Sequence, residues 1–265
     1  MCTIIVLRRP GHDWPVLIAA NRDELRNRPW KAPGRHWPDR PEVLAGLDLL
    51  AGGSWLGLND HGVVAAALNR EGTLGPAAGK RSRGELVLDA LDHGDAADAA
   101  HALGALDPAA YRPFNLVVAD NRDAFLLSHR DPVGGAPIAV ERLPEGLSMI
   151  TSLDLDDPRA PRIRFHRPKF LTAPVPDPSG GDWSAWEALL ASRDGEPESG
   201  ARGALFIDPV PAGDPGAFGT VASSLIALPA VNRPDLAPIW RFADGPPEHW
   251  RWEIVPFQGQ PATKP

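Results

Sequence analysis

The chain predicts an α+β protein of mostly antiparallel sheets, a four-layer αββα sandwich with two stacked sheets between helical layers. Three observations carry this. Apolar runs of strand length and helical patterns follow one another in the order strands, helices, strands, helices, strands. Successive runs are joined by turn residues, as at Asn59-Asp60-His61-Gly62 and Asn121-Arg122-Asp123, the mark of hairpins. Runs such as Val63-Val64-Ala65-Ala66-Ala67-Leu68 are apolar at both parities, as strands covered on two faces are.

The elements follow in order. Thr3-Ile4-Ile5-Val6-Leu7 and Val16-Leu17-Ile18-Ala19-Ala20 flank a Pro/Gly turn region and read as a hairpin. Residues 25–42, rich in Arg, Pro and Trp, read as an ordered loop able to line a pocket for an anionic or planar ligand. A second hairpin spans residues 55–68, and the glycines of Gly52-Gly53-Ser54-Trp55 permit close backbone approach. Ser82–Leu91 is a helix with a capping-box spacing from Ser82 to Glu85, and alanine-rich Asp95–Leu106 is another. Phe114–Asp120 and Ala124–Ser128 form a hairpin, and Ile138–Arg142 and Leu147–Thr151 read as a further pair around Pro144-Glu145-Gly146. Asp157–Leu171 reads as a helix that Pro168 kinks or ends, and Trp183–Ser192 as a short one. Phe218–Leu228 and Ile239–Ala243 are late strands, with an alternating edge strand at Trp250–Val255. One domain over residues 1–255 and a disordered tail over 256–265 are expected.

Composition narrows the function. A hydrophobic content of 43% supports a real core, and a net charge of −7 with dispersed arginines argues against a nucleic-acid binder. One cysteine excludes an intrachain disulfide or a Cys-based zinc motif and suits a reducing, cytoplasmic setting. No run approaches the ~18 apolar residues of a membrane span. The 8 histidines show no ligand spacing, so no metal site is expected. The Ala/Arg/Pro/Gly bias hints at a bacterial gene, and oligomeric state is not legible.

That single cysteine is residue 2. Removal of Met1 would put a thiol and a free α-amine on one residue. An α-amine of pKa ~7.7–8.0 is a usable base, and a thiol needs little activation as a nucleophile. The hairpin returns Asn21-Arg22-Asp23-Glu24 towards Cys2, where Asp23 can orient the amine. Along a strand, Asn21 and Asp23 share one face and Arg22 and Glu24 the other, so Arg22 need not point at Cys2. The plainer reading is a small buried cysteine and a charged strand end that satisfies loop groups.

Met1-Cys2-Thr3, Ala20-Asn21-Arg22-Asp23-Glu24, Gly52-Gly53-Ser54-Trp55-Leu56-Gly57, Ala67-Leu68-Asn69-Arg70, Ser82-Arg83-Gly84-Glu85-Leu86-Val87 and Phe114-Asn115-Leu116-Val117 occur in this order. Together they resemble the NRDE family, also called the transport and Golgi organisation protein 2 family. That family resembles the N-terminal nucleophile hydrolases, particularly the penicillin V acylase and bile salt hydrolase group. The resemblance implies the αββα fold, an exposed Cys2 as nucleophile, Asp23 at its amine and Asn69 in the oxyanion hole. Asn21, Arg22 and Glu24 would support the site. Ser152 stands where a second oxyanion Asn is common, Ala20 where the acylase group has an arginine, and Val221 where a late arginine often lies.

Two functions follow from the resemblance. One is a thiol amidohydrolase acting on a small amide or acyl conjugate, with no cofactor required. The other is a carrier or chaperone for a small-molecule ligand, haem or an acyl-coenzyme A/lipid, on the same fold. A non-catalytic interaction protein is the third.

Overall fold

The computed structural model describes residues 2–257 except 132, 134, 210–213 and 215. The chain runs through β1 (Thr3–Arg8), β2 (Val16–Leu25), β3 (Trp30–Gly34), β4 (Val43–Asp48), β5 (Leu56–Asn59) and β6 (Val64–Asn69) to α1 (Arg83–Leu91) and α2 (Ala96–Gly104). It continues through β7 (Phe114–Ala119), β8 (Ala124–His129), β9 (Ala139–Arg142), β10 (Gly146–Ile150), α3 (Pro161–Thr172) and α4 (Ser184–Leu190). It ends with β11 (Phe218–Leu228), β12 (Ile239–Asp244) and β13 (Glu253–Ile254).

Two antiparallel sheets form. The first has the order β10-β1-β2-β11-β12-β13 and the second β3-β4-β5-β6-β7-β8-β9. Three apolar layers give the sandwich its four tiers. Ile4, Ile18, Leu58, Leu68, Ile226 and Trp240 meet between the sheets. Leu86, Val87 and Leu103 of α1 and α2 cover Val63, Leu116 and Val118 of the second sheet. Trp186 and Leu190 of α4 and Phe170 of α3 cover Ile5, Leu17 and Leu225 of the first. Nearly continuous apolar runs are thus strands buried on both faces.

The first hairpin sets Thr3 opposite Asn21 and Leu7 opposite Leu17. β11 then pairs with β2 along its whole length, so β2 is a central strand. That pairing carries a bulge: Thr220 lies opposite Asp23, but Ala222 lies opposite Arg22, with Val221 as the extra residue. A bulge reverses which side chains face which way beyond it.

The fold departs from the sequence reading in five places. Ile138–Arg142 and Leu147–Thr151 do not pair: β9 pairs with β8 in one sheet and β10 with β1 in the other. The Pro-Glu-Gly turn that looked like a hairpin is a crossing between sheets. The loop over 25–42 contains β3, an edge strand held by Trp30 and Lys31 against Asp48 and Leu47. α3 starts at Pro161, because a proline without an N–H suits a first turn, and runs through Pro168 to Thr172. Ser82 caps α1 by accepting from the Gly84 N–H, but Glu85 pairs with Arg81 and does not return to Ser82. Of the expected tail, Phe257 packs in the inter-sheet core, and 258–265 lie outside the described residues.

Candidate active site

Strand alternation sorts the end of the first sheet into two chemically different faces. Even-numbered Ile4, Val6, Ile18 and Ala20 face the second sheet, and half-buried Cys2 packs there too. Arg22 follows the same parity. It is buried, at 5% exposure, and lines one small cavity with Cys2, Trp55, Ala66, Ala67 and Ser224. Arg22 therefore shares Cys2's side of the sheet, a placement that the sequence reading left open.

Arg22 is held chiefly by stacking. Its guanidinium carbon lies 4.0 Å from the Trp55 ring centroid and 5.6 Å from that of Trp30. Trp30 meets Trp55 edge-on at 5.7 Å. Trp55 lies flat over Gly46, where an added Cβ would sit 2.3 Å from the ring. Gly53 has a similar reason: a Cβ there would lie 2.4 Å from the Gly84 backbone, whose carbonyl accepts the Ser54 N–H. The nearest carboxylate is Asp48, at 3.7 Å from Nη2 and already paired with Arg28 at 2.6 Å. Arg22 Nη1 is buried with no hydrogen-bond partner. Burial lowers its pKa, and the neighbouring Cys2, Glu24 and Asp48 oppose that.

The thiol sits at the cavity wall, 3.7 Å from the Asp23 carbonyl oxygen. Burial, and then the Asp23 charge, raise its pKa, so the protonated thiol is favoured at neutral pH. The cavity volume is about 20 Å³, room for one water molecule.

The opposite face, toward α3 and α4, takes the odd-numbered Asn21 and Asp23. Asn21 Nδ2 donates to the Leu190 and Leu205 carbonyls at 3.0 and 2.9 Å, and its Oδ1 accepts from Ser223 at 2.7 Å. The Asp23 carboxylate accepts from Thr220 Oγ1 at 2.7 Å and from Arg162 Nη1 at 2.8 Å. The same Arg162 nitrogen donates to Thr3 Oγ1 at 2.7 Å. The bulge at Val221 makes this possible: Thr220, before it, faces α3, while Ala222 and Ser224, beyond it, face the cavity. Val221 accepts the Gly245 N–H with its carbonyl, at 3.2 Å.

The remaining sequence candidates are placed as follows. Asn69 is the last residue of β6, half-buried and opposite Phe114 of β7. Its neighbour Arg70 ties sheets together, donating to Asn115 Oδ1 at 2.8 Å and pairing with Asp154 at 2.9 Å. Ser152 is buried and its carbonyl accepts the Glu71 N–H at 3.2 Å. Glu24 is half-buried near Arg28, at 3.7 Å. Sequence reasoning missed Arg162, which lies 139 positions from Asp23 and carries no local signal. Thr220 lies in the expected late strand Phe218–Leu228, where no local signal marks it as a partner of Asp23. Trp30 was visible in the Arg/Pro/Trp-rich stretch 25–42 and Trp55 beside the Gly52-Gly53 pair, but neither as the bed of Arg22. Among the described residues no group of three or more His, Cys, Asp or Glu is arranged to hold a metal ion, and no helix is long and apolar enough to cross a membrane.

Comparisons with known proteins agree with the fold. The family model for Transport and Golgi organisation 2 matches residues 1–169. The Transport and Golgi organization protein 2 homolog of Bos taurus is 38% identical over 117 residues, covering 40% of this chain and 38% of that protein. Its Homo sapiens counterpart is 36% identical over 110 residues, again covering 40% and 38%. The chain thus spans about two-fifths of the length of these curated relatives. Among solved structures, a single-residue variant of conjugated bile acid hydrolase from Clostridium perfringens superposes with a TM-score of 0.55 at 12% identity, covering 99% of this chain and 94% of that one. A second mutant of the same hydrolase gives 0.50 at 10% identity, covering 97% of each. At such identities the likeness is one of fold, that of the N-terminal nucleophile hydrolases. With that family model matched over residues 1–169, more than half of its length, the chain belongs to the Transport and Golgi organisation 2 family.

Proposed function

We propose that the chain is an N-terminal-cysteine amidohydrolase acting on a small amide or acyl conjugate. The observation that carries this is the split site: a cavity-facing thiol beside the unpartnered Arg22 N–H, with Asp23 clamped behind it. After removal of Met1, Cys2 sulfur attacks the substrate carbonyl while its proton passes to the α-amine. That transfer answers the raised thiol pKa, since little thiolate is present beforehand. Asp23, held by Thr220 and Arg162, favours the resulting ammonium. Arg22 Nη1 and backbone N–H groups hold the oxyanion, a role the resemblance gave to Asn69. The ammonium returns its proton to the leaving amine, and water then hydrolyses the thioester. A one-water cavity cannot hold an acyl group, so substrate entry displaces the Arg22–Trp55 stack.

The test is release of amine from a panel of N-acyl amides of varied chain length. Turnover that vanishes in Cys2→Ala is the expected result; turnover retained in Cys2→Ala, or none across the panel, removes the proposal. The carrier alternative makes a different forecast, saturable absorbance or thermal shifts with haem or acyl-coenzyme A.

A further inference from the structure

At the far end of β1, six positions and therefore about 20 Å from Cys2, lies a second cavity. Its volume is about 420 Å³, within the range of small-molecule sites. Arg8 from the first sheet, Arg122 from the β7–β8 turn and Arg142 from the end of β9 converge on it. The Leu143–Glu145 crossing between the sheets closes one side.

Arg8 is the unusual group. It is the last residue of β1 and, although charged, is buried, at 5% exposure. Its Nη1 donates to the Leu143 carbonyl at 2.6 Å and its Nη2 to the Arg122 carbonyl at 3.1 Å. Its nearest carboxylate, Asp123, is 3.9 Å away and already paired with Arg142. Arg8 Nε is buried without a partner. The two carbonyl bonds fix the guanidinium but do not neutralise it, and its one long ion pair, to a carboxylate shared with Arg142, compensates a buried cation only in part. Arg122 has no hydrogen bond or ion pair from its side chain among the described residues. Three guanidinium groups thus face two carboxylates, Asp123 and solvent-exposed Glu145.

We propose that this cavity binds the phosphoryl group of a small phosphorylated molecule. Arg122 and Arg142 present planar forks suited to bidentate contact with phosphate oxygens, and fixed Arg8 supplies a buried positive charge behind them. The site is separate from Cys2 and does not depend on the proposed hydrolase activity.

Calorimetric titration of the full chain with inorganic phosphate and with pyrophosphate, at constant ionic strength, tests it. Saturable binding is expected, at least about tenfold weaker in Arg122→Ala and unchanged in Cys2→Ala. Circular dichroism and thermal melting confirm that Arg122→Ala is folded, and Arg142→Ala, also at the surface, provides a second variant. No saturable binding, equal binding in both arginine variants, or loss of binding in Cys2→Ala overturns the proposal. Saturable binding of succinate without phosphate overturns the phosphoryl assignment.

Discussion

The two faces of the first sheet, at its Cys2 end, are built to opposite standards. Toward α3 and α4, the polar side chains of Asn21, Asp23, Thr220 and Ser223 are interlocked with each other, with Arg162 and with backbone carbonyls. Toward the second sheet, the thiol has one long contact, and Arg22 keeps an N–H with no acceptor, stacked on tryptophan. A dense set of short buried hydrogen bonds holds the helix-facing groups in place, whereas the cavity-facing thiol and guanidinium are held by one long contact and by stacking. The contrast teaches that the helix-facing side is the fastening and the cavity-facing side is where chemistry is available.

Substitutions should separate the two faces. The largest effect is expected from Arg162→Met, which removes a buried partner of Asp23. Loss of about 3–5 kcal/mol in denaturant unfolding is predicted, and a change below ~1 kcal/mol would show that the fastening lies elsewhere. Acid should act on the same side. His166 of α3 points Nε2 at the Asp194 and Gly203 carbonyls, 3.0 and 3.1 Å away, so that nitrogen carries the proton. Burial lowers its pKa to about 4. The unfolded chain therefore binds a proton below about pH 6.5 that the folded chain refuses until about pH 4. Stability should be unaffected by this group above that window and fall by roughly 3 kcal/mol across it as pH drops. Thermal melting against pH checks this, and His166→Gln should flatten that part of the profile.

Thr220→Val is predicted to cost about 1–3 kcal/mol, because the Asp23 carboxylate and the Ile207 N–H both lose the hydroxyl. The smallest stability effect belongs to the other face. Arg22→Met should unfold within about 1 kcal/mol of the parent, since an apolar chain can replace a poorly paired buried cation. Amide turnover in the same variant should fall by about 10²–10³, the cost of an oxyanion donor. A large loss of stability with turnover intact would reverse the assignment of the two faces.

Much of the fold was legible because its signals are local. The β1–β2 and β5–β6 hairpins announce themselves by apolar runs and Asn/Gly turns, and α1 by Ser82. The β9–β10 link was not, because Pro144-Glu145-Gly146 serves a crossing between sheets as readily as a hairpin. Cys2, Asp23 and the motif order pointed to one place, the end of β2 that lies beside Cys2. Which face each side chain takes was less accessible. Alternation from a known strand gives the separation of Asp23 from Arg22, but the bulge at Val221 that turns Thr220 toward Asp23 depends on pairing with β2. Arg162 arrives from a helix with no pattern linking it to the first hairpin. The bed under Arg22 depends on Trp30, the first residue of β3, meeting Trp55, the residue before β5.

The nucleophile assignment is tested most directly by intact-mass spectrometry of the purified chain before and after reaction with an activated acyl substrate. The account predicts a mass lacking Met1 and a single acyl adduct that maps to Cys2. A chain that keeps Met1, and so has no free amine on the cysteine, contradicts it.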